Sequence, residues 1–253
     1  MKLLYKDFVE EVISVLVASF FENEDYHTLC FAKGEDDLVT NMDLEIEKEF
    51  TNLVKKHYPE HLVIGEEFAQ NKLTDDWTWI IDPIDGTVNF ASGSPLYGLQ
   101  FSLYYQKEGI VSAIYLPATG DFLYAEKDAG AYHNGNRIIL KDSDNLKKSI
   151  VSFGDFSHSN PSSREKQLYL LANLEDEVGK LRIYGSSAID FGYVACGRSQ
   201  AHVMFSKRIW EMSAGMLLIR EAQGFTSKVG DAFIVASDPD LLQLIESLLE
   251  NYD

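Results

Sequence analysis

Two aspartates three residues apart, Asp82 and Asp85, flank Pro83 in the run WTWIIDPIDGTVNF at 77–90. Carboxylates this close repel each other unless a cation lies between them, so the pair points to metal-assisted chemistry. Asp82 ends an apolar strand pattern, the place where side chains leave a sheet and ligands commonly bind. Pro83 has a fixed φ and restricts Asp82 to extended geometry, which aims the first carboxylate. Asp85-Gly86-Thr87 then turns the chain, with Gly86 supplying a conformation closed to other residues. An ordinary Asp-Gly turn explains Asp85 and Gly86 but not the aimed carboxylate before them. An EF-hand needs acids at alternate positions ahead of its glycine, and a spacing of three with an internal proline excludes it.

Other acids lie at the ends of neighbouring elements. GEEFA (65–69) follows the short strand pattern LVIG and places Glu66 sixteen residues before Asp82. A Glu-Glu pair alone reads as solvated surface. TNMD (40–43) reads as a capping box, with Asp43 closing the start of a helix. Glu211, in IWEMSAGM, falls in a first helical turn, where it complements the helix dipole. Ser186 and Ser187 have the same plain use, as caps of the helix that follows them.

The elements that must position these groups are legible from periodicity. Leu4, Phe8, Val12, Leu16 and Phe20 recur at four-residue steps, predicting a helix over 3–21, and Met42, Ile46, Phe50 and Leu53 predict a second over 42–57. WTWII reads as a strand. GLQFSLYYQ, GIVSAIYLP and DFLYAE, with turns at Lys107-Glu108-Gly109, at 117–120 and at NGN (134–136), predict an antiparallel meander. From about residue 149, strands and helices alternate: SIVSF, helix 161–175, KLRIY, helix 187–196, AHVMF, helix 211–222, AFIVA, helix 239–250. Such alternation predicts a three-layer α/β lobe. The tract LKDSDNLKK marks the junction, dividing the chain into lobes 1–145 and 146–253.

Composition bounds the function. The formal net charge of −18 repels a polyphosphate backbone, so nucleic acid is not an expected partner. Small phosphorylated molecules stay open, because metal ions invert charge locally. The short acidic patch at 22–25 is the one stretch whose composition suggests disorder. With only Cys30 and Cys196, far apart, a reducing and therefore cytoplasmic setting is expected. The longest apolar run, VISVLVASFF, is too short to span a bilayer, so no membrane association is expected. His57 and His61 are separated by Pro59, which breaks the helix that would align them on zinc; they read as surface residues. No GxSxG, P-loop or GxGxxG occurs.

Taken together, WIIDPIDGTVNF, the upstream GEE and DLVTNMD, GSSAIDFGYVACGR (185–198) and WEMSAG (210–215) resemble the inositol monophosphatase family of Mg²⁺-dependent phosphatases. The resemblance spans about residues 30–240. It implies a layered, two-lobed sugar-phosphatase-type fold of the α/β (α+β) class: N-terminal helices with an antiparallel sheet, then a three-layer α/β lobe, and a cleft between them. It implies two or three Mg²⁺ ions, with Glu66, Asp82 and the Ile84 carbonyl on the first and Asp82, Asp85 and Glu211 on the second. Thr87 and Asp43 match the pair that orients and deprotonates the attacking water. Gly86 and Thr87 match the phosphate-holding backbone, Gly185, Ser186 and Ser187 the segment touching the substrate's alcohol, and Asp85 a substrate-binding position as well as a metal ligand. A homodimer and inhibition by lithium are further implications, and the substrate class is a small phosphate monoester. Two such ions activate water and stabilise a departing alkoxide.

The chain departs from the family at two site positions. Glu211 stands where the family has aspartate, and Met204 where inositol-recognising members have glutamate. The segment SKVGDAFIVAS is also short. These departures motivate an alternative, a catalytically weak relative acting as a binding or regulatory protein, against which stand the intact Asp43, Glu66, Asp82, Asp85 and Thr87. Aspartate followed by Asp-Gly-Thr is also similar to haloacid dehalogenase-type phosphatases, which place their aspartates two apart near the N-terminus rather than at 82 and 85.

Overall fold

Four-residue apolar spacing does produce a helix, α1 (Tyr5–Leu16), whose Phe8, Val12 and Leu16 are wholly buried. Its buried stripe begins one turn late, because Leu4 is the N-cap and is 74% exposed. The helix continues as a π turn (Val17–Phe21), which leaves Phe20 half-buried. The structure, a computed structural model, describes residues 4–22, 29–32, 38–68, 72–143, 145–156, 160–206 and 208–252; beyond Glu22, the acidic patch lies outside them.

A two-stranded pair, β1 (Cys30–Ala32) and β2 (Leu38–Thr40), leads into α2 (Asn41–His57). The expected capping box is formed: the Thr40 hydroxyl accepts from the Asp43 N–H, and the Asp43 carboxylate accepts from the Thr40 N–H at 2.8 Å. Next come β3 (Leu62–Gly65), β4 (Thr78–Asp85), the short helix α3 (Thr87–Ala91) and the meander β5 (Gly98–Tyr105), β6 (Glu108–Leu116), β7 (Asp121–Glu126), β8 (Gly130–His133) and β9 (Asn136–Ile138). They build one sheet in chain order, with β3 parallel to β4 and every later pair antiparallel. Asn134 and Gly135, at φ 47° and 78°, make the expected turn. The β5–β6 turn instead centres on Gln106 and Lys107, at φ 51° and 62°, one residue earlier than predicted. Neither is glycine, so only the strand pairing on both sides imposes that conformation.

The second half runs β10 (Ile150–Phe153), α4 (Pro161–Leu174), β11 (Lys180–Ile183), α5 (Ser187–Ala195), β12 (Ala201–Met204), α6 (Ile209–Glu221), β13 (Phe225–Val229), β14 (Ala232–Ala236) and α7 (Pro239–Glu250). Its sheet has the order β11-β10-β12-β14-β13; β10 is parallel to β11 and β12, and the β14 pairings are antiparallel. β13 is the element the sequence pattern does not reveal. It is an edge strand whose residues are half-buried or exposed, so FTSKV carries little apolar alternation.

Apolar packing arranges these elements in five layers. Phe8, Phe50, Trp79 and Phe101 join α1 and α2 to one face of the larger sheet. Ile114, Leu123, Phe191, Leu218 and Val235 join its other face to α5, α6 and the smaller sheet. Val203, Ile234, Leu170 and Ile245 then join the smaller sheet to α4 and α7. The chain is therefore a mixed α/β protein in which α5 and α6 are shared between two sheets. With α2 on one side and α6 on the other, all eight residues of β4 are buried. The histidines are not the surface residues expected: the His57 side chain is 10% exposed and meets Glu11 at 3.2 Å, while His61 stacks on Trp77 at 5.4 Å. Both cysteines are free.

Candidate metal and phosphate site

The end of β4 carries a bulge, and the bulge is built by the residues that drew attention in the sequence. Asp82 pairs with Gln100 and Asp85 with Gly98, so one extra residue of β4 is accommodated between them. Pro83, which has no N–H to offer a ladder, lies inside this break. Asp82 and Asp85 are 1% and 7% exposed. Burial first, and then the charges of Glu66, Asp85, Glu211 and Asp43, push the Asp82 carboxyl well above its ordinary range. The structure thus brings together at the end of β4 all five carboxylates singled out in the sequence.

Their partners differ. Asp43 Oδ2 is held in the capping box, but among the described residues its Oδ1 is buried without a hydrogen-bond partner, as is Asp82 Oδ1. Asp85 is the most fully engaged. Its Oδ2 accepts from the Ser186 hydroxyl at 2.5 Å and the Ala188 N–H at 2.6 Å, and its Oδ1 lies 2.9 Å from Ser187 Oγ, all at the N-terminus of α5. Ser187 Oγ is also 2.8 Å from the Glu211 carbonyl and receives Gln100 Nε2 at 2.7 Å; its single proton serves one acceptor at a time. Ser186 also caps α5 by accepting from the Ile189 N–H. The Thr87 hydroxyl donates to the Ile84 carbonyl at 3.0 Å, and α3 packs against β2, which ends at the cap of Asp43.

The close approach of α3 to α5 requires glycine. Gly86 has φ +88°, and a Cβ there would fall 2.9 Å from Ser186 Cβ. Gly185, at φ +73°, faces it under the Asn89 amide, which donates to the Leu96 and Tyr184 carbonyls at 2.8 Å. Gly86, Thr87, Gly185, Ser186 and Ser187 therefore line one seam.

Glu66 and Glu211 are spanned by a cation. Arg208 Nη1 lies 3.3 Å from Glu211 Oε1 and 3.8 Å from Glu66 Oε1. Among the described residues, no three His, Cys, Asp or Glu side chains are closed into a cluster that could hold a metal ion. The carboxylates converge in charge while their oxygens are turned elsewhere, Asp85 onto α5 and Glu211 onto Arg208. The donor set nevertheless fits magnesium: hard oxygens, two of them buried with no partner among the described residues, surrounded by like charge.

Three residues here escaped the sequence reading. Glu47 accepts the Glu67 and Phe68 N–H groups at 2.8 and 3.0 Å and so holds the segment bearing Glu66. Asn89 ties α3 to the Tyr184–Gly185 strand end. Arg208 is the third. Glu47 follows Asp43 by one helical turn, a spacing that could have revealed it; Arg208 stands three residues before Glu211, which suggests that pair, but nothing local marks its contact with Glu66. Met204, at 4% exposure, is packed into the core shared by α5 and α6.

A pH effect follows. Burial, opposed by hydrogen bonds from Thr40, raises Asp43 to about 6. Burial, opposed by Ser186 and Ala188, raises Asp85 to about 7. Folded values above the unfolded ones mean that the native state binds extra protons between about pH 4 and 7, so stability rises as pH falls through those values. In EDTA, the melting temperature at pH 6 should exceed that at pH 8 by at least about 3 °C, the shift that about 1 kcal/mol makes in a chain this long. An unchanged or lower value at pH 6 would contradict the strained carboxylates. Asp121 acts oppositely: burial alone would raise it, but Arg198 at 2.6 Å, Thr119 and His133 hold it well below the usual range. Its contribution is lost only in stronger acid.

Comparison with known proteins places the chain in a family. Residues 6–242 match the model of the inositol monophosphatase family. A fructose-1,6-bisphosphatase/inositol-1-monophosphatase of Aquifex aeolicus is 34% identical over 226 residues, covering 87% of this chain and 84% of the relative. The Nus factor SuhB of Escherichia coli is 33% identical over 196 residues, 77% and 73% of the two chains. The crystal structure of the extragenic suppressor protein suhB of Bartonella henselae superposes with a TM-score of 0.82 at 27% identity, over 96% of this chain and 98% of that one. The fold, the order of the motifs and these matches agree: the chain belongs to the inositol monophosphatase family.

Proposed function

We propose that the protein is a Mg²⁺-dependent phosphomonoesterase that hydrolyses a small phosphorylated metabolite, inositol-phosphate-like or a sugar phosphate, by direct attack of water. One observation carries this reading: Asp82 is buried among four other carboxylates with one oxygen unpartnered. A buried charge in that setting costs several kcal/mol unless a cation compensates it. Glu66, Asp82, the Ile84 carbonyl, Asp85 and Glu211 would hold two or three ions. Bound magnesium supplies Lewis acidity that makes water nucleophilic at neutral pH and steadies the departing alkoxide. Thr87 and Asp43 would orient the water and take its proton; the raised Asp43 carboxyl, at about 6, suits a base working near neutrality. The Gly86–Thr87 backbone would receive phosphate oxygens, and Gly185, Ser186 and Ser187 the alcohol side. The reading extends to a homodimer, to lithium inhibition and to a cytoplasmic setting; among the described residues no helix is long and apolar enough to cross a membrane.

The buried Met204 offers a sugar ring no acceptor, which favours a substrate other than an inositol phosphate. Phosphate release should be measured across inositol, sugar and nucleotide-derived monoesters and fructose 1,6-bisphosphate, with Mg²⁺ titrated and EDTA as control. Turnover that appears with Mg²⁺ and vanishes with EDTA is expected. Silence across the panel from a folded protein that binds Mg²⁺ would favour the second reading, a binding or regulatory protein. Glu211, engaged by Arg208, and the relatives named as Nus factors are what support that alternative.

A further inference from the structure

We propose that Arg208 is a built-in counter-cation of the candidate metal site: its guanidinium bridges Glu66 and Glu211 in the ion-free protein, and a divalent ion must displace it. The inference rests on the metal reading above and concerns what sets the ion's affinity.

Glu66 follows β3 and Glu211 begins α6, so the two carboxylates belong to elements distant in the chain. Both charges act on Asp82, and Arg208 reaches both from outside, at 3.8 and 3.3 Å. Exposure falls steadily along this path: the Arg208 side chain is 48% exposed, Glu211 22% and Glu66 11%. The guanidinium can therefore leave toward solvent without crossing packed protein. Its backbone stays in place, because Arg208 is the N-cap residue of α6, three residues before Glu211. The side chain can swing aside but not depart.

A guanidinium suits this task. It is charged at every accessible pH and its planar fork presents several donors, so one side chain can serve two carboxylates. It is nonetheless a single, spread charge, and here it is shared between the two outer acids. A divalent ion brings twice the charge and would be held by Asp82 as well. The contest favours the ion only above a threshold concentration, which Arg208 raises. The same contest accounts for Glu211 being turned toward Arg208 while, among the described residues, no closed metal-holding cluster forms.

The test uses the full chain and Mg²⁺ alone, read by isothermal titration calorimetry. Arg208→Gln should bind Mg²⁺ about 3- to 10-fold more tightly, the scale of losing two partly exposed ion pairs from the ion-free state. Arg208→Lys, which keeps the charge but not the fork, should fall between. Melting curves give a second readout. Arg208→Gln should melt below wild type in EDTA, and the gap should close at saturating Mg²⁺. Equal or weaker Mg²⁺ affinity in Arg208→Gln, or a gap that persists in Mg²⁺, would overturn the proposal and leave an ordinary surface ion pair. Absence of Mg²⁺ binding by wild type would overturn it differently, by removing the metal reading itself.

Discussion

Asp82→Asn is expected to abolish Mg²⁺-dependent phosphate release while making the ion-free protein more stable. The two effects have one cause. Asp82 is 1% exposed, and burial plus four neighbouring carboxylates oppose its charge. Asparagine keeps the volume and removes the charge, and its amide can donate to an adjacent carboxylate, so repulsion becomes attraction. In EDTA at pH 8 the variant should melt at least about 3 °C higher, which at this chain length is about 1 kcal/mol. Turnover should fall by at least about 10²- to 10³-fold, the scale of deleting one preorganised charge-stabilising group. Such opposed signs are the mark of a site whose strain serves function. A variant that melts lower in EDTA would show Asp82 to be structural. Activity near wild type would remove it from the metal site.

The sequence revealed this part of the molecule because its signal is local. Pro83 between two acids marks the aimed carboxylate, Gly86 the turn, and Thr40 with Asp43 the cap; each acts within a few residues of itself. The meander and the helices of the second half were legible for the same reason, since their periodicities are local. What the sequence hid depends on distance. β13 is an edge strand without a buried face, so it has little pattern to read. Asp85 was read as a metal ligand, yet in the folded chain it is also an acceptor at the start of α5, about a hundred residues away. Arg208 reaches Glu66 as well as Glu211, and no spacing within its own helix announces the Glu66 contact. Local chemistry thus identified the acids, and only tertiary structure showed which groups already restrain them.

Glu47→Gln should reach the same site without touching it. Glu47 is 2% exposed on α2, one turn beyond Asp43, and each of its oxygens takes one N–H: Oε2 from Glu67 and Oε1 from Phe68. The chain carrying Glu66 is thereby laid over a buried carboxylate. Gly65 permits this, since a Cβ there would fall 2.0 Å from the Glu47 carboxyl. Glutamine can accept only through its oxygen, and its NH₂ then faces a second donor. One N–H loses its partner, at about 1–3 kcal/mol, and Glu66 loses its fixed position. Outer groups that orient metal ligands are worth about 10- to 100-fold in metal affinity or activity, so Mg²⁺ affinity should drop by that factor below the melting transition. Gly65→Ala, which drives a methyl into the Glu47 carboxyl, should reproduce the loss through a different atom. If both variants are merely less stable and bind Mg²⁺ as wild type does, Glu47 supports the loop but does not position Glu66. If both weaken binding while Asp82→Asn removes it, the site has two tiers. In that case the buried acid of α2 sets the geometry that Glu66 and the acids of β4 use.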